Sequence, residues 1–260
     1  MDTATRPLAL VTGASTGLGK VFATRLAAQG FDLLLVARDG DRLRRLGAEL
    51  QEAHGASCEA WPADLVQDAE IERLLARVRA APNLAMIVNN AGFGTMGTLA
   101  RIDPVPQDAM VRLHTLAPMR LTQAALPGMI ARKRGTIINV SSVASFTAGI
   151  GNVNYCATKA YLRVFSQALA LEVGHSGVRV QALCPGFFYS EFHDRLNFDR
   201  GRIPAWLWMS ADYVVDTSLA QAARGGDTVC VPGWQYKVIV FALRYLSWAI
   251  GPLQRRYRRD

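Results

Sequence analysis

The sequence predicts an α/β fold of one domain, a doubly wound parallel sheet of about seven strands with helices on both faces. Three observations lead there. Short runs that are apolar throughout recur along the chain, as strands buried between two helix layers require. Longer stretches with apolar residues at helical spacing separate them. No linker, repeat or low-complexity segment divides the 260 residues, and half of them are apolar, enough for one large core.

The elements follow in order. Leu8-Ala9-Leu10-Val11 leads through a glycine-rich turn to helical spacing over residues 20–29. Leu33-Leu34-Leu35-Val36 precedes a charged, helix-prone stretch at 41–52. A third strand is read at 57–61, a helix at 67–79, and a fourth strand at Met86-Ile87-Val88. One long helix over 107–132 comes before the fifth strand, Thr136-Ile137-Ile138-Asn139-Val140. A helix at 153–173, a sixth strand at 178–183, a helix at 211–223 and a short strand at 228–231 complete the alternation. Right-handed crossovers then place a ligand crevice at the carboxyl ends of the strands.

Composition excludes several classes. Cys58, Cys156, Cys184 and Cys230 lie far apart with no CxxC pair, so neither a disulfide framework nor a zinc site is expected, and the thiols read as reduced in a cytoplasmic protein. The first seven residues carry no apolar segment of the secretory kind. The formal charge is +8, with a net +5 after Gly233 from Lys237, Arg244, Arg255, Arg256, Arg258 and Arg259 against Asp260. No nucleic-acid motif accompanies this excess, and a solvated tail is the expectation.

After the first strand comes Thr12-Gly13-Ala14-Ser15-Thr16-Gly17-Leu18-Gly19. A strand-to-helix turn needs glycine where φ is positive or where a side chain would block a phosphate. The helix that follows offers unpaired N–H groups and a positive dipole end. Asp64-Leu65, Asn89-Asn90-Ala91-Gly92, Tyr155 and Lys159 four residues apart, and Pro185-Gly186 then occur in sequence. In this order and spacing the chain resembles the short-chain dehydrogenase/reductase family over nearly its whole length. The resemblance implies a Rossmann-like fold and hydride transfer between a nicotinamide and a carbonyl or alcohol carbon.

It also implies roles. The Gly13–Gly19 turn, with Ser15, Thr16, Gly17 and Leu18, would hold the pyrophosphate. Asp64 and Leu65 would meet the adenine, and Asn90, Ala91 and Gly92 the adenine-side ribose. Asp64 as a helix cap and Asn90 as a tie between strands are compatible alternatives. At the end of the second strand, where NAD-using enzymes place an acid, stand Ala37 and Arg38. A guanidinium there pairs with a 2′-phosphate, so NADP(H) is expected over NAD(H), although Asp39 is adjacent.

Tyr155 and Lys159 share one face of a helix, and an ammonium beside a phenol favours the phenolate. Such a tyrosine gives or takes the proton as hydride moves. The family's serine precedes the tyrosine by thirteen positions, which selects Ser142 over Ser141. The family's helix asparagine is replaced by His114, read either as a relay member or as a structural histidine. Pro185, Gly186, Phe188 and Ser190 would orient the nicotinamide carboxamide.

Residues 187–209 are expected to form a substrate lid. Its Phe192, Phe198, Trp206, Leu207, Trp208 and Met209 suggest a hydrophobic ketone or ketoacyl substrate, or else packing of the lid itself. Residues 233–260 are expected as a C-terminal helical extension, in the manner of a family branch with an arginine-rich end. That extension would line the cleft, form an interface or lie on a membrane surface. A homodimer or homotetramer is expected from the resemblance. A hydroxysteroid-type dehydrogenase and a non-catalytic NADP(H)-binding sensor remain as alternatives.

Overall fold

The computed structural model describes residues 6–190, 201 and 203–245. All seven expected strands are present: β1 (Leu8–Thr12), β2 (Asp32–Ala37), β3 (Cys58–Pro62), β4 (Leu84–Asn89), β5 (Gly135–Val140), β6 (Val178–Leu183) and β7 (Val229–Cys230). They form one parallel sheet in the order β3-β2-β1-β4-β5-β6-β7. The order reverses between β1 and β4, and a crevice opens there beyond the carboxyl ends.

Strand periodicity distributes the apolar runs to two cores. Ala9, Val11, Leu33 and Leu35 face one side, where they meet α1 (Gly17–Ala28), α2 (Gly40–His54) and α7 (Ala211–Arg224). Leu8, Leu10, Leu34 and Val36 face the other, against α3 (Asp68–Arg79), α5 (Ala117–Ala131) and α6 (Val153–Val173). Because successive side chains point to opposite faces, a run without polar positions can only be satisfied by two apolar layers. Fully burying each Leu or Val contributes roughly 1.5–3 kcal/mol relative to leaving it exposed.

Polar ties cross the sheet as well. The Asn89 amide donates to Asn139 at 2.8 Å, Asn139 donates to Ser166 at 2.9 Å, and Ser166 donates to the Leu162 carbonyl. This buried chain fixes β4 and β5 to α6, the helix that carries the candidate catalytic pair. At the C-terminal end of the described residues, α8 (Trp234–Tyr245) packs over the crevice through Tyr236 and Ile239.

The expected uninterrupted helix at 107–132 is divided. It comprises α4 (Pro104–Val111), a π-helical turn (Arg112–Leu116) and α5. The physical cause is Pro118, which has no N–H to donate to the His114 carbonyl four residues back. The Ala117 amide instead reaches the Arg112 carbonyl, five residues back. The wider turn carries His114 inward, where it is 1% exposed.

Phe192 and Phe198 of the expected lid, and the basic tail from residue 246 onward, lie outside the described residues. Among the described residues no helix is long and apolar enough to cross a membrane.

Candidate active site

The crevice is a cleft of about 1170 Å3. Of the catalytic and cofactor-binding residues expected from the sequence, all but Gly19 and His114 line it.

At one end lies the glycine turn. Gly13 has φ +66° and Gly17 φ +55°, both in the left-handed region that favours glycine. A Cβ on Gly19 would overlap the Gly13 carbonyl oxygen, so Gly19 closes the turn rather than facing the cleft. The first turn of α1 contains no acidic residue, and its N-cap, Thr16, makes no side-chain capping bond. A helix start with unpaired amides, no carboxylate and a floor without side chains suits a pyrophosphate.

Thr12 organises the neighbouring loop. Its hydroxyl accepts from the amides of Asn90 and Ala91 at 2.9 and 3.0 Å and donates to the Val88 carbonyl. The Asn90 side chain donates back to the carbonyls of Thr12 and Gly13. Asn90 is therefore a tie between the ends of β1 and β4, with its loop lining the cleft. Asp64 accepts from the Val66 amide, and its own amide donates to Glu70 at 2.6 Å.

Arg38 follows β2 directly and stands exposed at the cleft edge. The Asp39 carboxylate caps α2 by accepting from the Arg42 amide and pairs with the Arg42 guanidinium at 3.4 Å. Arg42 also lines the cleft, giving that corner a second cation. Sequence reasoning missed it, although four residues beyond Arg38, on a helix that starts beside the crevice, is a readable spacing.

At the other end stand Ser142, Tyr155 and Lys159. Ser142 lies two residues beyond β5 and starts a short 3-10 turn by accepting from the Ala144 amide. Lys159 lies 5.8 Å from the centre of the Tyr155 ring, on the next turn of α6. The Lys159 ammonium donates to the Val140 carbonyl at 2.9 Å, and Ser141 donates to the Lys159 carbonyl at 2.7 Å. Ser141 thus secures the helix that bears the lysine, and Ser142 faces the cleft.

Burial decides the protonation states. Loss of water pushes the Tyr155 phenol up to about 12, opposed by a hydrogen bond with Ser142. Loss of water pulls the Lys159 ammonium down to about 8. Loss of water is the leading influence on the phenol, and it favours the protonated form. A protonated phenol is the form that donates to a carbonyl oxygen on its way to an alcohol.

His114 takes part indirectly. Its Nε2 accepts from the Phe93 amide at 3.2 Å, which leaves Nδ1 to carry the proton and donate to Thr158 at 3.0 Å. The Thr158 hydroxyl then donates to the Tyr155 carbonyl at 3.2 Å. Burial, then the nearby Lys159 charge, holds the imidazole neutral, well below its ordinary value. Both ring nitrogens are engaged, and the imidazole ties the Gly92–Phe93 backbone to α6.

The lid aromatics divide by role. Trp208 stacks on Tyr189 with ring centres 5.1 Å apart and leans on Phe187 at 5.5 Å. Met209 is buried in the core, Leu207 lines the cleft and Trp206 is 61% exposed.

A helix start prepared for a pyrophosphate, facing a serine, tyrosine and lysine across a sheet's switch point, defines a dinucleotide-dependent oxidoreductase acting on CH–OH or C=O groups. The chain belongs to the short chain dehydrogenase family, whose model matches residues 7–201. It is similar to a short-chain dehydrogenase from Sphingobium yanoikuyae solved with NADPH, at 33% identity and a TM-score of 0.84, covering 98% of this chain and 97% of that one. It is also similar to a bulky-bulky ketone specific alcohol dehydrogenase from Comamonas testosteroni, at 30% identity and a TM-score of 0.81, covering 99% and 97%. A very-long-chain 3-oxoacyl-CoA reductase from Coprinopsis cinerea is 30% identical over 245 residues, 90% of this chain and 70% of that protein.

Proposed function

We propose that this chain is an NADP(H)-dependent reductase of uncharged, hydrophobic ketones, reversible towards secondary alcohols. The carrying observation is the make-up of the substrate end of the cleft. Around Ser142 and Tyr155 it is lined by Phe93, Met96, Leu113, Val143, Phe187, Leu207, Ile239 and Leu243, and among the described residues Lys159 is its one charged side chain. Beyond Lys159, a substrate carboxylate or phosphate would find no counter-charge among the described lining residues, whereas an apolar ketone loses only unfavourable hydration. The similarity to the bulky-ketone dehydrogenase and to the 3-oxoacyl-CoA reductase supports the same class.

The glycine turn would hold the pyrophosphate, and Arg38 with Arg42 the 2′-phosphate. Pro185, Gly186, Phe188 and Ser190 would border the nicotinamide. When bound, the cofactor supplies the hydride. Ser142 donates to the substrate oxygen and holds the charge that develops on it. Tyr155 delivers the proton to that oxygen, and Lys159 raises the local positive potential and binds the ribose hydroxyls. His114 acts as a positioning tie.

Self-association is part of this reading, through the exposed Tyr161, Val164 and Leu171 of α6. Contact with an anionic lipid surface is a further partner reading. It is favoured by the exposed row Trp234, Val238, Phe241 and Tyr245 on α8, beside Lys237 and Arg244. Co-sedimentation with anionic vesicles tests it.

The decisive experiment follows NADPH oxidation against a panel of bulky ketones and ketoacyl thioesters. Tyr155→Phe is expected to lose about 10²–10⁴-fold in turnover while still binding NADPH. Undiminished turnover in the variant would overturn the assignment. NADPH binding without turnover on any ketone would favour the sensor alternative.

A further inference from the structure

One polar side chain in the cleft comes from outside the part of the chain that the family model matches. Tyr236 stands on the first turn of α8, beyond residue 201, and is 2% exposed. Its hydroxyl makes two bonds to backbone: it accepts from the Phe187 amide at 2.8 Å and donates to the Leu207 carbonyl at 2.6 Å. Burial pushes the phenol above its ordinary value, so the proton needed for the second bond stays in place.

Those two partners lie on two separate described segments, residues 187–190 and 203–209, which backbone bonds also join. The Met209 amide donates to the Phe187 carbonyl at 3.0 Å, and the Tyr189 amide donates to the Met209 carbonyl at 3.1 Å. The ring of Tyr236 covers Gly186 so closely that a Cβ there would fall within it. On its other side the same turn is fixed to the Ser142 loop, because the Val143 amide donates to the Pro185 carbonyl at 3.0 Å.

We propose that Tyr236 is a positioning residue that sets the height of the Gly186–Phe188 turn above Ser142 by tying that turn to Leu207. The proposal rests on the assignment of that turn to the nicotinamide end of the cofactor. Gly186 is glycine because the ring lies against its Cα. The Phe187 amide is used by Tyr236, which leaves the turn's carboxamide contacts to its neighbours. Tyr236 touches no reacting atom; it acts through the backbone it holds.

Tyr236→Phe keeps the ring over Gly186 and removes both hydroxyl bonds. The test compares binding of NADPH with binding of 2′-phospho-ADP-ribose, which lacks the nicotinamide. The Kd for NADPH, and its KM in ketone reduction, are expected to rise about tenfold. The Kd for the fragment is expected to stay within twofold, since the glycine turn and Arg38 are distant from the change. Gly186→Ala presses on the same ring from the opposite side and is expected to give the same selective loss. Equal weakening of both ligands would make Tyr236 a general stability residue, and no weakening of NADPH would make it irrelevant; either overturns the proposal. Failure of the wild-type protein to bind NADPH would instead overturn the cofactor assignment.

Discussion

The two ends of the cleft are built by different means. The phosphate end is made of backbone that is continuous in sequence, from Thr12 through the start of α1, with Arg38 and Arg42 a single strand further on. The nicotinamide and substrate end is assembled from segments scattered between Phe93 and Leu243, held by side chains that bond to backbone far away in the chain. His114 ties the residue 92–93 loop to α6, and Tyr236 ties Phe187 to Leu207. An anion of fixed shape can be met by a local motif, because helix amides and glycine are enough. A substrate wall needs volume and apolar surface, and any suitably placed element supplies those.

The largest expected effect separates the ends by pH. Lys159 carries its charge below about 8 and loses it above, because burial disfavours the ammonium. Tyr155, at about 12, keeps its proton throughout the working range. The kcat/KM for ketone reduction should therefore fall about tenfold per pH unit above roughly 8. In Lys159→Arg that fall should leave the accessible range, since a guanidinium does not deprotonate there. An identical alkaline limb in the variant would detach it from Lys159.

A smaller effect belongs to the phosphate end. Arg38→Asp should lower NADPH affinity about ten- to a hundredfold relative to NADH, from the loss of a charge-assisted bond and added repulsion. Turnover with saturating NADH should persist, because the catalytic group lies at the far end. Unchanged relative affinities would pass the 2′-phosphate to Arg42 alone.

The smallest effect is on stability. The folded protein holds His114 neutral well below its ordinary value, whereas the unfolded chain takes up a proton below about 6.5. Protonation thus favours unfolding, and this contribution to stability is present above 6.5 and lost as pH falls below it. The cost is roughly 1.4 kcal/mol per pH unit until the folded state also protonates. His114→Asn should reduce the drop in Tm between pH 7.5 and 5.5 by about 2–4 °C. An equal drop in both proteins would place the acid sensitivity elsewhere.

Much of this molecule was legible before any coordinates. The seven strands, their parallel arrangement and the crevice followed from apolar runs such as Leu33-Leu34-Leu35-Val36, because only a strand covered on both faces tolerates them. Ser142, Tyr155 and Lys159 were found from helical spacing together with the family resemblance, and all three line the cleft. Arg42 escaped notice because its role depends on where α2 begins. Thr12 was visible as the first residue of the glycine turn but its role was not, and Tyr236 carried no local mark; their partners lie 78 and 49 residues away.

What the sequence determined by itself is local: the alternation of elements, the glycine turn, and the tyrosine and lysine on one helix face. Each depends on periodicity or backbone sterics within a few residues. What only the tertiary structure decided is which distant groups meet and which states they adopt. The π-helical turn at Arg112–Leu116 buries His114 against two elements, the capping of α2 occupies Asp39, and burial favours the protonated form of Tyr155. Burial and partners supplied by remote segments decide these arrangements, and neither is written in the spacing of a single chain.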